Sequence, residues 1–307
     1  MTRMTLTTLV AASLALGAGA AIADTTTANT TTANTTTATA PAAAPATPAD
    51  VPQDDNLNAT LWMQNSVEHK AVAMGLFDLA RMRLHQALSH KGWTAVPDME
   101  GSGYEKKPVA IITDLDETVL DNANYEASLV TRHTSFSPKE WTDYVNSKTS
   151  KAMPGAIAFL KYAEKHGVHI FYVSNRNKAE EPATRENMKA LGFPVDAKKT
   201  DFLSKGDKPE WGSSKGSRIA YVAKDYRVVL LMGDNMGDFT DKAKGDAKAR
   251  MKAFEADHKH WGHDWIVFPN PEYGSWESAA FDNDWKKPAD QRRKEKIEAL
   301  HPWSPKG

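Results

Sequence analysis

The sequence predicts an α/β protein with an open, mostly parallel sheet, and two observations carry that prediction. Three continuous apolar, β-branched runs, at residues 109–113, 168–173 and 228–232, read as strands buried on both faces. Helical patterns at residues 155–166 and 216–224 precede the second and third runs, and alternating helix and buried strand builds a parallel sheet covered on both sides.

Taken in order, the chain opens on an expected secretory leader, residues 1–23. Arg3 supplies a positive start, residues 6–21 an apolar run, and Ala21-Ile22-Ala23 a cleavage site before Asp24. Residues 24–55 form a Thr/Ala/Asn/Pro tract with TTTAN twice in succession, too poor in large apolar groups to repay ordering, and read as a disordered spacer. Order is expected to begin at Asn58-Ala59-Thr60, a helix N-cap, because Val72, Leu76 and Leu79 then recur at helical spacing to about Leu88. Met63, Val67, Ala71 and Met74 widen that apolar face, which suits core packing rather than a ligand.

The 307 residues, 41% hydrophobic and 25% charged, suit one catalytic domain, expected over residues 56–307. Lys and Arg number 38 against 39 Asp and Glu, so no global field favours a nucleic-acid polymer or a membrane surface, and an anionic substrate must be recognised locally. There is no cysteine, which excludes a disulfide, a thiolate metal site and a lipid on an N-terminal Cys. The expectation is an exported protein, periplasmic or secreted, without a lipid anchor or stable membrane insertion. Its oligomeric state is left open, a homo-oligomer included.

Each predicted strand is followed at once by polar residues: Asp114-Leu115-Asp116-Glu117-Thr118, then Ser174-Asn175-Arg176, then Gly233-Asp234-Asn235-Met236-Gly237-Asp238. In an open α/β sheet the crevice beyond the strand carboxyl ends holds ligands, so these clusters should converge. Asp114, Asp116, Asp234 and Asp238 together would repel unless a proton or cation neutralises them. Carboxylates without thiol or His ligands favour a hard octahedral ion, Mg²⁺, and a site of that kind suits phosphoryl chemistry. Asp114 suits a nucleophile forming an aspartyl phosphate, and Asp116 the acid and base that protonates the leaving oxygen and then deprotonates water. Ser174 offers a hydroxyl to the phosphoryl oxygens and Lys215, where a helix should start, a cation; Lys205 and Lys208 are rivals for that cation.

These residues resemble the haloacid dehalogenase superfamily, whose D-x-D-x-T strand end, Ser/Thr strand end, Lys and acidic G-D-x-x-x-D turn occur here in order. The sequence is more closely similar to class C acid phosphatases, including the bacterial outer-membrane lipoproteins that dephosphorylate nucleotides. The segments DLDETVLDN, WTDYVNSKTSKAMPGAIAF, FYVSNR, GDNMGDF and FPNPEYGSWE carry the likeness, from about Asn58 onward. The resemblance implies a Rossmann-like core with a smaller helical cap, inserted at about residues 119–154, and one Mg²⁺ per active site. It implies Asp114 as nucleophile and metal ligand, Asp116 as acid and base with its carbonyl on the metal, Asp234 as the third ligand and Asp238 supporting the metal waters. Ser174 and Lys215 would grip phosphate. Asn175 and Arg176 are substrate-binding candidates at the same strand end, and Trp141 and Tyr273 would stack a nucleotide base or nicotinamide ring. Two departures are a missing lipidated Cys and a lengthened segment, Pro209-Glu210-Trp211-Gly212, before Lys215.

The expected function is hydrolysis of small phosphomonoesters, 5′-nucleotides or nicotinamide mononucleotide among them. Alternatives are a phosphotransferase using the same intermediate and a non-catalytic nucleotide-binding or storage protein. His258, His260 and His263 in HKHWGHD lack the spacing of a zinc site and are expected in a solvated loop or helix end; residues 290–296 read as a solvated helix face.

Overall fold

The structure, a computed structural model, describes residues 55–198 and 200–304; the expected leader and the spacer up to residue 54 lie outside the described residues. Its strands are β1 Val109–Thr113, β2 Leu120–Asp121, β3 Lys151–Ala152, β4 His169–Asn177, β5 Thr200–Lys205, β6 Arg227–Gly233 and β7 Trp265–Val267. Its helices are α1 Leu57–Asn65, α2 Val67–Ser89, α3 Ala123–Arg132, α4 Pro138–Ser147, α5 Ala156–Lys165, α6 Glu181–Leu191, α7 Gly216–Asp225, α8 Ala247–Ala256, α9 Ser275–Ser278 and α10 Ala289–Glu298.

Five strands form one sheet in the order β5-β4-β1-β6-β7, every neighbouring pair parallel. Alternate residues of the central strands face two separate apolar layers. Ile111, Ile170 and Tyr172 pack with Phe77 and Leu84 of α2 and Phe159 of α5, whereas Ala110, Ile112, Phe171 and Val173 pack with Ile219 and Val222 of α7. Burying each large side chain there contributes roughly 1.5–3 kcal/mol. β2 and β3 pair antiparallel, and α3 and α4 lie between them in the chain. None of the described helices is long and apolar enough to cross a membrane.

The expected helix from residue 58 to 88 is two helices. Ser66 breaks it by taking extended backbone, φ −73° and ψ 137°, while its hydroxyl accepts from the His69 amide at 2.9 Å to cap α2. The first helix also starts earlier than expected, at Leu57. β5 is largely polar and β7 only three residues long, and neither is among the strands expected from the sequence. The histidine segment follows the end of α8, with His258 exposed and His263 half-exposed, but His260 departs from the expected solvated loop or helix end. His260 is buried against Trp265 with Nδ1 2.7 Å from Asp264, and His263 stacks on Trp93 at 4.1 Å. The basic C-terminal stretch does form a helix with no buried residue.

Where α1 and α3 meet the loop before α9, two buried acids, Glu126 and Glu272, lie near one another. No donor meets hydrogen-bond geometry at either Glu272 carboxylate oxygen, and the Thr60 hydroxyl nearby opposes the rise in its pKa. Burial raises the Glu272 carboxyl to about 8, and the nearby Glu126 and Asp121 add to the shift. Burial likewise raises Glu126 to about 7, with Glu277 adding to it. An unfolded chain releases such protons near pH ~4.3, so between about pH 4 and 8 the folded state binds more protons, and stability falls as pH rises. The penalty is absent below that window and complete above it. The thermal midpoint is expected to drop from pH 5 to 8.5 in calorimetry, and Glu272→Gln should flatten the slope and raise stability at the alkaline end by roughly 2–4 kcal/mol. An unchanged slope in the variant would show that Glu272 does not hold the proton.

Candidate active site

The carboxyl ends of β1, β4 and β6 are adjacent in the sheet, which brings the polar residues that follow them together. The Asp114 amide continues the β1–β6 ladder by donating to the Met232 carbonyl at 2.9 Å. Its carboxylate therefore leaves the sheet beside the β6 turn. Asp114, Asp234 and Asp238 each present an oxygen to a group in which all the ligand atoms lie within 4.8 Å of one another.

The short turn after β6 shows why the G-D-N-M-G-D spacing matters. Asp238 folds back so that its Oδ2 accepts from the Asn235 amide at 2.9 Å while its Oδ1 meets Lys215 Nζ at 2.7 Å. That fold-back runs directly over Gly233, where a Cβ would lie 2.4 Å from Asp238 Cβ and 2.3 Å from Oδ2. Gly233→Ala is accordingly expected to displace Asp238 and lower kcat/KM by about 10²-fold, read by steady-state kinetics on the folded variant. Wild-type kinetics would show that the turn can yield at no cost.

Lys215 immediately precedes α7 and is buried, its Nζ 2.6 Å from Asp114 Oδ1 as well as 2.7 Å from Asp238. Burial works against its charge, but Asp114 and Asp238 outweigh that and hold its pKa above the usual lysine value. Of the two rivals, Lys205 ends β5, and Lys208 sits 3.7 Å from the centre of the Tyr221 ring and 4.6 Å from that of Trp211. Burial pushes the Asp114 carboxyl up to about 7; Lys215 opposes this, and Asp238 and Asp116 add to it. Burial also holds Asp234 well above the carboxylate range, reinforced by Asp238 and Asp114. Asp234 touches no cation: Asn270 Nδ2 donates to it at 2.9 Å and Thr118 Oγ1 lies 3.5 Å away. One lysine thus faces three clustered carboxylates, and the all-oxygen donor set with its surplus negative charge fits a hard divalent cation.

Asp116 stands apart from that triad. Its carboxylate accepts from Arg176 Nη2 at 2.7 Å and Nε at 3.0 Å, and from Asn122 Nδ2 at 2.9 Å. Arg176, itself buried, also donates to Thr184 at 3.0 Å and lies 5.5 Å from the centre of the Trp141 ring. Ser174 is buried at the end of β4 and its Oγ accepts the Arg176 amide at 3.0 Å. The β4–β5 pairing shifts register between Ser174 and Asn177, which frees Asn175 and Arg176 from the ladder. Asn175 turns toward the loop before α7, donating to the Ser213 carbonyl at 3.0 Å and accepting from Arg218 at 2.6 Å. Both substrate-binding candidates at this strand end thus engage protein groups.

Trp141 is half-buried on α4 among Tyr125, Tyr144 and Phe136. Tyr273 is half-buried too, and its hydroxyl donates to Glu117. Glu117 adopts a left-handed backbone, φ 53°, which turns its side chain inward to accept the Asn122 amide at 2.8 Å. Burial, then the nearby Asp116, Glu272 and Asp234, keep the Glu117 carboxyl well above its usual range. Asn122, Asn270, Glu117 and Arg218 were not singled out in the sequence. Asn270 lies in the quoted FPNPEYGSWE segment, the one signal that could have drawn attention to it.

Residues 19–276 match the family described as HAD superfamily, subfamily IIIB (acid phosphatase). The chain is 26% identical over 160 residues to the class B acid phosphatase of Xenorhabdus bovienii (strain SS-2004), a stretch covering 48% of this chain and 63% of that relative's length. Two structures of the class C acid phosphatase from Bacillus anthracis, one with tungstate bound, align with a TM-score of 0.72 at 34% identity, covering 81% of this chain and 98% of theirs.

Proposed function

Because the chain belongs to the acid phosphatase family of HAD superfamily subfamily IIIB, we propose that it hydrolyses small phosphomonoesters through an aspartyl phosphate on Asp114. The observation that carries this reading is the cluster of Asp114, Asp234 and Asp238 with Lys215 bridging two of them. Asp114, Asp234 and Asp238, with the Asp116 carbonyl, would hold Mg²⁺. When bound, that ion neutralises phosphoryl oxygens and the crowded carboxylates.

Asp114 is the nucleophile: one carboxylate oxygen attacks phosphorus as the bond to the leaving oxygen breaks, and that oxygen takes a proton from Asp116. Asp116 then removes a proton from water, whose oxygen attacks phosphorus and releases phosphate, restoring Asp114. Arg176 and Asn122 hydrogen-bond the Asp116 carboxylate and would fix its orientation for that proton transfer. Ser174 and Lys215 grip the phosphoryl oxygens. Trp141 and Tyr273 flank a base or nicotinamide ring, worth about 1–3 kcal/mol per stacked ring, which favours 5′-nucleotides and nicotinamide mononucleotide. Transfer to an alcohol in place of water would use the same groups. The apolar leader and cleavage site support export to the periplasm or medium.

Phosphate release from 5′-nucleotides and p-nitrophenyl phosphate should be metal-dependent, abolished by EDTA and restored by Mg²⁺. Equal turnover with and without chelator would remove the metal from the reading, and no turnover on any phosphomonoester would end it in favour of a binding role.

A further inference from the structure

Arg218 lies in the first turn of α7, three residues after Lys215, and has no solvent exposure. Among the described residues no carboxylate is hydrogen-bonded to its guanidinium. Nη1 donates to the carbonyls of Ser174 at 2.6 Å and Leu203 at 3.2 Å. Nη2 donates to Asn175 Oδ1 at 2.6 Å and to the carbonyls of Gly212 at 3.0 Å and Ser214 at 3.3 Å. These acceptors come from the end of β4, the end of β5 and the loop that delivers Lys215. Burying a guanidinium against neutral acceptors alone is costly, and the cation is otherwise felt only at longer range by Asp114, Asp238 and Asp241.

What the arrangement accomplishes is geometric. One arm holds the backbone of Ser174, and the other holds Ser214, the residue joined to Lys215. We propose that Arg218 is a positioning residue that fixes the separation of Ser174 and Lys215 and so shapes the phosphoryl subsite without touching phosphate. The inference rests on the phosphatase reading above. Asn175 completes the clamp, because its amide takes Nη2 on one side and braces the Ser213 carbonyl at 3.0 Å on the other. A planar fork with two terminal nitrogens reaches all three segments, whereas a single ammonium cannot. Arg176, paired with Asp116, serves the acid and base instead.

The test uses the full chain with p-nitrophenyl phosphate as substrate and inorganic phosphate as competitive inhibitor. Arg218→Lys keeps the charge but loses the fork, and it should raise both KM and the phosphate Ki by about 10- to 100-fold while kcat changes far less. Asn175→Ala, at an exposed position, should raise both constants by about 3- to 10-fold. A merely structural role would lower the thermal midpoint and leave KM and Ki alone. Wild-type KM and Ki in a folded Arg218→Lys, or in Asn175→Ala, would overturn the proposal. If Arg218→Lys does not fold, Asn175→Ala decides. If the wild type hydrolyses no phosphomonoester, the phosphatase reading is what fails; calorimetric titration of inorganic phosphate into wild type and Asn175→Ala then reads the clamp, and equal affinities overturn it.

Discussion

Replacing Asp114 by Asn is expected to lower kcat by about four orders of magnitude or more, the scale seen when a covalent nucleophile is lost. The amide has the shape of the carboxylate but no anionic oxygen to attack phosphorus. It also removes one of the two carboxylates that meet Lys215, leaving Asp238 as its partner at 2.7 Å, so the cation proposed to grip phosphate stays in place. Inorganic phosphate should therefore still bind, measured by calorimetry alongside turnover. A residual rate within tenfold of wild type would remove Asp114 as the nucleophile.

Lys215→Met should be the next most damaging substitution, and it acts on stability as well as rate. The ammonium it removes is buried and bridges Asp114 and Asp238 at 2.6 and 2.7 Å. Deleting one partner of a buried ion pair leaves the others uncompensated, a loss of about 3–5 kcal/mol. Phosphoryl charge loses its fixed cation too, so kcat/KM is expected to fall by about 10³-fold. Urea unfolding in metal-free buffer and steady-state kinetics with Mg²⁺ report the two effects separately. Stability equal to wild type without metal would mean that the carboxylates are already neutral when the lysine is absent.

How much of this was legible follows from where each residue sits. β1, β4 and β6 lie inside the sheet and are covered on both faces, so each contains a continuous apolar run. β5, as TDFLSK, and β7, as WIV, are edge strands that are polar or short and look like loop. Asp114, Asp234 and Asp238 were legible because each belongs to a polar burst at a strand end. The roles of Arg176 and Asn175 were not, since the register break and the approach of α7 aim them, and neither leaves a local signal. Arg218 is hidden for a similar reason: a lone Arg on an amphipathic helix reads as solvated, and only the fold turns it inward. Ser66 is a serine inside an otherwise continuous helical pattern, and its capping bond to His69 is visible only once the backbone bends.

The shift in the β4–β5 ladder has one more consequence. On either side of it the parallel strands exchange regular amide hydrogen bonds, so those amides should resist deuterium until the whole sheet opens, whereas Asn175 and Arg176 lie in a gap in the ladder. The Arg176 amide donates to the Ser174 hydroxyl at 3.0 Å, a side-chain acceptor. In hydrogen exchange this segment should form a small, fast-labelling window inside the slowest-labelling part of the molecule. Local fluctuation there would let the crevice rearrange around a ligand at far less free-energy cost than unzipping the strands that hold it.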